Sequence, residues 1–249
     1  MKLIKSQVVF NPDEHTYMLG DKELSGITSV IGRHLFPDKY RDVPEDVLRK
    51  AAERGTMIHS ICELVDDMGI THDSDEAQGY KELKDDWGLR YECSEYLVSD
   101  NEHYASCIDK VYRENDTDFT LGDIKTTYVL DKESVRWQLS IYAYLFELQN
   151  PGCNAVRLIG IWLRGKNHEI VEVERIPSEV VMNLLKCDSE GRQFVNPYSI
   201  SPVTLPDEYR KMERTIQEIV SQAKYWSDKK KEITDGVMMA MVEAGEYSW

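Results

Sequence analysis

The fold is decided by two neighbouring stretches of sequence, SCIDKVY at residues 106–112 and FTLGDIKTT at residues 119–127. Both stretches are rich in β-branched and aromatic residues, and the polar run 114–118 between them is typical of a hairpin loop. We therefore expect two adjacent strands. Because successive side chains of a strand point to opposite faces, Asp123 and Lys125 share one face, while Ile124 points into the core.

Other segments of the chain predict a mixed arrangement of strands and helices around this hairpin. The pattern predicts further strands at residues 7–10, 15–19, 96–98, 155–163 and 170–176, the last as an edge strand. It predicts helices at residues 27–35, 44–51, 57–65, 80–87 and 134–148, with a last helix after Pro206, and a loop at 71–76. This order predicts an α/β or α+β fold, with a small mixed central sheet flanked by helices.

The composition fits a folded, acidic protein. The chain has 249 residues, of which 30 are Lys or Arg and 45 are Asp or Glu, so its formal charge is −15. This charge argues against a protein that coats nucleic acid through bulk positive charge, but it permits an enzyme with local carboxylates. No apolar run approaches the ~20 residues that span a bilayer. Since the first residues lack a secretory signal, we expect a cytoplasmic protein with no membrane partner.

Two carboxylates and one ammonium group are expected to meet on the central hairpin. If the register is right, Asp109 on the first strand lies beside Asp123 and Lys125 on the second. Hard divalent ions such as Mg²⁺ bind through carboxylate oxygens, and an ion held in this way can activate water for phosphodiester hydrolysis. The alternative interpretation is a surface ion pair, because the D-x-K pattern is common.

Two predicted helices carry polar pairs at a spacing of four residues, which places both members of a pair on one helical face. His59 and Glu63 form the first pair and could add a metal ligand, or they could be an ordinary exposed pair. Gln138 and Tyr142 form the second, on an apolar stripe. A glutamine there needs a hydrogen-bond partner, for which a lysine, a water molecule and a DNA phosphate are candidates. The alternative is a core tyrosine beside a solvent-edge glutamine.

In chain order the motifs are G-x-x-x-H-x-x-x-E at 55–63, Ile-Asp at 108–109, D-I-K-T at 123–126 and Q-x-x-x-Y at 138–142. Their order and spacing resemble the PD-(D/E)XK nuclease superfamily, and within it the RecB-like and phage exonuclease branch. The resemblance implies one domain with a restriction-endonuclease-like core. Its parts would be N-terminal strands and helices at 1–54, a catalytic core at 55–176 and a C-terminal helical extension at 177–249.

The resemblance also implies roles for residues that match the motifs. Mg²⁺ or Mn²⁺ would be bound by Asp109, Asp123, the backbone carbonyl of Ile124 and His59, while Lys125 would orient the attacking water. Gln138 and Tyr142 would support the site or contact the DNA backbone, and Glu63 and Glu95 are further candidates for support. The candidates for DNA contacts are Arg49, Arg54 and Lys110.

The expected function is therefore a metal-dependent DNA exonuclease of phage or mobile-element type, active in DNA recombination or processing. A site-specific endonuclease and a non-catalytic nucleic-acid-binding module on the same fold are the alternatives. The implied partner is DNA, in particular double-stranded ends; a recombinase, a single-strand-binding protein and a second copy of the chain are further candidates.

The sequence departs from the family pattern at two points. Members often have a glycine shortly before the first aspartate, where this chain has Ser106 and Cys107. The five cysteines include no C-x-x-C pair, and none follows Cys187, so no iron–sulfur cluster is expected.

Overall fold

The computed structural model describes residues 2–12, 14–41, 43–69, 72–199 and 207–243. The chain divides into two compact units, Met1–Val195 and Asn196–Trp249, so the division lies after the predicted end of the core at residue 176. No helix in the described part of the chain is long and apolar enough to cross a membrane.

The first unit contains eight strands and five helices among its described residues. The strands are β1 (Val9–Asn11), β2 (Thr16–Leu19), β3 (Lys22–Gly26), β4 (Tyr91–Ser99), β5 (Tyr104–Arg113), β6 (Asp118–Lys125), β7 (Asn154–Arg164) and β8 (Asn167–Glu172). The helices are α1 (Ile27–His34), α2 (Glu45–Met68), α3 (Asp75–Trp87), α4 (Lys132–Gln149) and α5 (Ser178–Ser189). In the second unit, α6 spans Asp207–Glu243. The predicted mixed α/β class is confirmed.

Two helix predictions need correction. The segments predicted as separate helices on either side of Gly55 form the single helix α2. A glycine inside a helix costs only about 1 kcal/mol, which the packing of the buried face of α2 outweighs. Helix α3 begins at Asp75, inside the predicted loop, because the Ser74 side chain accepts a hydrogen bond from the Ala77 amide and caps the helix.

The strands form one open sheet in the order β1-β2-β3-β5-β6-β7-β8, with β4 also paired to β5. It is larger than the small sheet predicted, since the N-terminal strands join it through a short parallel pairing of β3 with β5. Strands β6 and β7 are parallel, and β8 is the edge strand that the sequence indicated. It lies at 167–172 rather than 170–176, because its tight turn to β7 fixes the register.

The central hairpin has the expected geometry. Strands β5 and β6 are antiparallel and pair Lys110 with Gly122, so one residue further along Asp109 comes opposite Asp123. From this point the backbones no longer pair directly. Instead, the Asp109 carboxylate (Oδ2) accepts a hydrogen bond of 2.7 Å from the Ile124 amide. Because β5 and β6 separate beyond Lys110 and Gly122, polar side chains can lie between the ends of these two inner strands.

Both faces of the sheet are covered by apolar packing, and this fixes the strands that carry the site. One cluster joins the sheet to α1, α4 and α5 and includes Leu121 and Ile141. The other joins the sheet to α2 and α3 and includes Ile58, Tyr80 and Ile124. Burying each of these large side chains contributes roughly 1.5–3 kcal/mol. As predicted, Ile124 points into the core between two polar neighbours.

Candidate active site

The carboxylates of Asp109 and Asp123 lie side by side and are withdrawn from solvent. Asp109 is 9% exposed and Asp123 is 1% exposed. Lys125 lies on the same face as Asp123, with its ammonium nitrogen 2.7 Å from Asp123 Oδ2. An exposed surface ion pair is therefore excluded, because both carboxylates are buried and the Lys125 side chain is 27% exposed.

Asp123 has an unusual environment for a buried acid. The Lys125 ammonium lies 2.7 Å from Asp123 Oδ2 and balances the charge of this carboxylate on that side. Its other oxygen, Oδ1, has no hydrogen-bond partner among the described residues. A buried charge normally receives several hydrogen bonds or a bound cation, since desolvation without compensation costs several kcal/mol. The chemistry of this group therefore fits a metal ligand.

A second group of potential ligands borders the first. His59, Glu95 and Asp109 each offer one potential ligand atom, and these three atoms lie within 4.8 Å of one another. His59 Nε2 is 3.8 Å from Asp109 Oδ2, and His59 Nδ1 is 3.9 Å from Glu95 Oε1. His59 Nε2 is also 3.3 Å from the carbonyl oxygen of Ile124. Carboxylates and a backbone carbonyl are suitable ligands for Mg²⁺ or Mn²⁺, whereas an imidazole is a better ligand for transition metals and favours Mn²⁺ over Mg²⁺.

The strand β4 brings Glu95 into this group through a strained backbone. The pairs Ser94–Lys110 and Tyr96–Ile108 place Glu95 opposite Asp109, but its φ of 47° lies in the left-handed region. A non-glycine residue adopts this conformation rarely, and its occurrence inside a strand is associated with functional sites. Glu95 also accepts a 3.2 Å hydrogen bond from the thiol of Cys107.

The close packing of ionisable groups changes their protonation. Burial raises the pKa of Asp109, and the neighbouring charge of Asp123 raises it further. Burial lowers the pKa of His59, but the carboxylates of Asp109 and Glu95 more than offset this and raise it to about 9. The pKa of Glu95 is lowered, because the neighbouring His59 and the hydrogen bond from the Cys107 thiol outweigh the opposing effect of burial. The group thus concentrates negative charge that a bound cation would neutralise.

Helix α4 supplies a hydrogen-bond partner for Lys125. The Lys125 ammonium donates a 3.0 Å hydrogen bond to Gln138 Oε1, and the Gln138 amide donates a 2.7 Å hydrogen bond to the Tyr142 hydroxyl. Ser106 donates to the same hydroxyl at 3.3 Å. The partner of Gln138 left open by the sequence is therefore the lysine. Burial lowers the pKa of Lys125, but Asp123 and Asp109 dominate and raise it, so Lys125 is an ammonium ion at neutral pH.

All these side chains open onto one cavity of about 490 Å³. Glu63 lines it on the same face of α2 as His59, and burial raises the pKa of Glu63. The N-terminal hairpin also reaches the cavity through Phe10, His15 and Tyr17, none of which was predicted as a site residue.

The predicted DNA contact at Lys110 is wrong. Lys110 alternates with Asp109 along β5 and therefore points to the opposite face, where it is 1% exposed. Its ammonium donates hydrogen bonds of 2.7 Å to both Asp66 and Ser94. A lysine held in the core in this way is a structural ion pair and cannot reach a DNA phosphate.

The two predicted arginine contacts do not line the cavity. Arg54 forms an ion pair with Glu76, which also accepts a hydrogen bond from the Gly165 amide, so Arg54 ties α2 to α3. Arg49 is exposed on the first turns of α2 and pairs with Glu53 at 2.7 Å. An exposed pair of this kind is weak, so Arg49 stays a candidate for DNA contact.

No family model matches the chain, and no curated protein matches it. Among solved structures, the crystal structure of SSO0001 superimposes with a TM-score of 0.42 at 14% sequence identity, covering 70% of this chain and 78% of that chain. A likeness at this level carries no functional argument.

Proposed function

We propose that this protein is a metal-dependent deoxyribonuclease that hydrolyses phosphodiester bonds, and that it acts as an exonuclease. The observation that carries the proposal is the buried carboxylate of Asp123. Its Oδ1 atom has no hydrogen-bond partner among the described residues, and the carboxylate lies beside Asp109 and the Lys125 ammonium. A structural ion pair would leave no reason for a second acid, a histidine and a glutamate to share the same cavity.

The residues present fit a Mg²⁺ or Mn²⁺ ion. Asp109, Asp123, His59 and the Ile124 carbonyl would hold it, and Glu95 is placed to add a ligand. When bound, such an ion supplies a nucleophilic water of lowered pKa and neutralises charge on the scissile phosphate. The affinity for the ion would increase with pH, because the His59 imidazole must lose its proton before it can act as a ligand.

The remaining side chains prepare the cavity for a phosphate group. The Lys125 ammonium has its position fixed by Gln138 and by Asp123, and its positive charge suits it to orient a water molecule or a phosphate oxygen. The carboxylates of Asp123 and Asp109 raise the pKa of Lys125, so it carries a positive charge in the metal-free site. The Tyr142 hydroxyl accepts a hydrogen bond from the Gln138 amide, and Ser106 donates to that hydroxyl, so their effect on the reaction is to position Lys125.

The proposal is tested by substituting Asp123→Asn and Lys125→Gln and assaying linear duplex DNA with Mg²⁺, with Mn²⁺ and with EDTA. We expect the wild type to need the divalent ion, and each variant to lose at least about 100-fold in kcat/KM. Lys166→Gln and Glu172→Gln are matched controls, because both residues are exposed and lie outside the cavity. Wild-type cleavage by Asp123→Asn would refute the site.

The same assay separates the alternatives. Degradation of linear but not covalently closed circular DNA identifies an exonuclease, whereas nicking of circles identifies an endonuclease. Tight binding of DNA without cleavage under any metal condition identifies a non-catalytic binding module.

A further inference from the structure

Three aromatic rings of the β1–β2 hairpin border the same cavity as the carboxylates. Phe10, His15 and Tyr17, here called the aromatic hairpin, line its outer part. The Phe10 ring lies 4.8 Å from the Tyr17 ring at an interplanar angle of 31°, and 5.2 Å from the His15 ring at 85°. Aromatic rings arranged in this way form a preformed stacking surface.

The aromatic hairpin is held firmly against the candidate site. Tyr17 is 6% exposed and pairs with Phe10 on one side and Leu24 on the other. Its burial raises the pKa of Tyr17 to about 12, while a hydrogen bond with Ser106 on β5 acts in the opposite direction. Ser106 also donates a hydrogen bond to Tyr142, so the hairpin lies next to the residues that position Lys125.

Phe10 and His15 remain available for contact, in contrast to Tyr17. Phe10 is half-buried, and His15 is exposed at the end of the hairpin. His15 has a φ of 54°, in the left-handed region that histidine adopts more readily than most residues. The turn therefore presents an imidazole beside the Phe10 ring, which packs on one side against the small buried cluster that contains Tyr17 and stays partly exposed.

Without a bound cation, the cavity has more acidic than basic side chains and gives little net attraction for phosphate, since the raised pKa of His59 offsets only one of the carboxylates. Lys125 is the only lysine or arginine among the described residues that line it, and Asp123 already neutralises that charge. Glu63, Glu95 and Asp109 add negative charge. A nucleic acid strand that enters this cavity needs a contribution that does not depend on charge, and stacking of a base on an aromatic ring supplies one.

We propose that the aromatic hairpin stacks an unpaired nucleobase next to the scissile phosphate, and that the strand entering the cavity is single-stranded. This inference rests on the proposed function for the identity of the reacting group. The cavity of about 490 Å³ has the size of a small-molecule pocket, so it can hold a short segment of one strand. A base in a duplex has both faces covered by its neighbours, so it could not stack on Phe10 without leaving the helix.

The test measures stacking directly, with an oligonucleotide that carries 2-aminopurine at its end. Stacking on a ring quenches the fluorescence of this base. We compare the wild type with Phe10→Leu, which keeps an apolar side chain but removes the ring, and with Phe10→Tyr, which keeps the ring. Val9→Ala is the matched control, because Val9 is the exposed neighbour on the same strand. Binding is measured with Ca²⁺ and again in EDTA, and thermal melting confirms that each variant is folded.

We expect the wild type to quench the fluorescence and Phe10→Leu to abolish the quenching. Phe10→Leu should weaken binding of the single strand by about 5- to 100-fold, the range of one base–aromatic stack. Phe10→Tyr and Val9→Ala should stay within about twofold of the wild type. Equal affinity and quenching in folded Phe10→Leu would overturn the inference, as would failure of the wild type to bind the single strand in either condition.

Cleavage assays keep this inference separate from the proposed function. If the protein is a nuclease that stacks its substrate, linear duplexes with single-stranded overhangs should be cleaved faster than blunt ones, and Phe10→Leu should remove the difference. If Asp123→Asn retains activity but Phe10→Leu loses quenching, the stacking surface stands and the catalytic assignment fails. If Asp123→Asn is inactive and Phe10→Leu behaves as the wild type on every substrate, the catalytic assignment stands and the stacking surface is refuted.

Discussion

At the scale of single residues, Glu95 shows how the site departs from regular structure. It lies inside β4, yet its φ of 47° is one that L-residues with a side chain adopt at a cost of roughly 1–2 kcal/mol. The strain positions its carboxylate beside His59 and Asp109. A residue with the usual φ and ψ angles of a strand would continue the backbone pairing of β4 with β5, and its carboxylate would not be held beside His59 and Asp109.

The backbone of Glu95 predicts an unusual order of stability among its variants. Glycine in the middle of a strand is normally less stable than alanine by about 0.5–1 kcal/mol. At position 95 we expect the opposite: Glu95→Gly should be more stable than Glu95→Ala by about 1 kcal/mol, since glycine tolerates the left-handed conformation. Urea unfolding of both variants without divalent ions measures the difference. An Ala variant as stable as the Gly variant would show that the backbone there is not strained.

At the scale of elements, a buried ion network holds α2 and α3 to the strands that carry the carboxylates. Asp66 on α2 has a fully buried side chain. It accepts hydrogen bonds from Lys110 on β5 and Tyr80 on α3, each at 2.7 Å, and also pairs with Lys84. Because α2 also carries His59, this network helps to set the distance between the imidazole and Asp109.

We predict that Asp66→Ala destabilises the protein by about 3–5 kcal/mol, because it leaves the buried ammonium of Lys110 without a counter-ion. Asp67→Ala is the matched control on the next residue. Asp67 is exposed and accepts a single hydrogen bond from Tyr91, so its loss should cost about 1 kcal/mol or less. Chemical unfolding measures both variants. A small effect of Asp66→Ala would mean that water or another acid compensates Lys110.

At the scale of the whole molecule, the net charge of −15 is opposed to the polyanion on which we propose that the protein acts. Attraction between the chain and DNA must therefore be local, supplied by a bound cation, by stacking and by a small number of basic side chains. This has a direct consequence for the effect of salt, since each phosphate bound by a cationic side chain releases counter-ions.

We predict a shallow salt dependence of single-strand binding. With one or two phosphates neutralised, affinity should fall by less than about tenfold between 50 and 200 mM salt, whereas six to ten contacts would give a fall of roughly 10³–10⁵. Fluorescence anisotropy in EDTA measures the slope. A steep salt dependence would point to phosphate contacts by basic side chains outside the cavity. Arg49→Gln should then make the salt dependence shallower, and Lys166→Gln is its control.

The sequence alone determined the central hairpin and its polar face. The alternation of Asp123, Ile124 and Lys125 depends only on the two-residue period of a strand, and the short loop at 114–118 fixes which strand is the neighbour. The mixed fold class and the edge strand followed from the same local patterns. These features depend on contacts between residues close in sequence, which is why composition and periodicity were enough.

Only the tertiary structure decided which distant groups complete the site. The partner of Gln138, the arrival of Glu95 through a strained backbone and the position of Phe10 depend on how separate elements pack. The error at Lys110 has the same origin, since a lysine on a strand can face solvent or core with equal ease until a buried acid such as Asp66 is placed opposite it. Side-chain contacts between elements far apart in sequence depend on the packing of the whole core, and no local pattern encodes them.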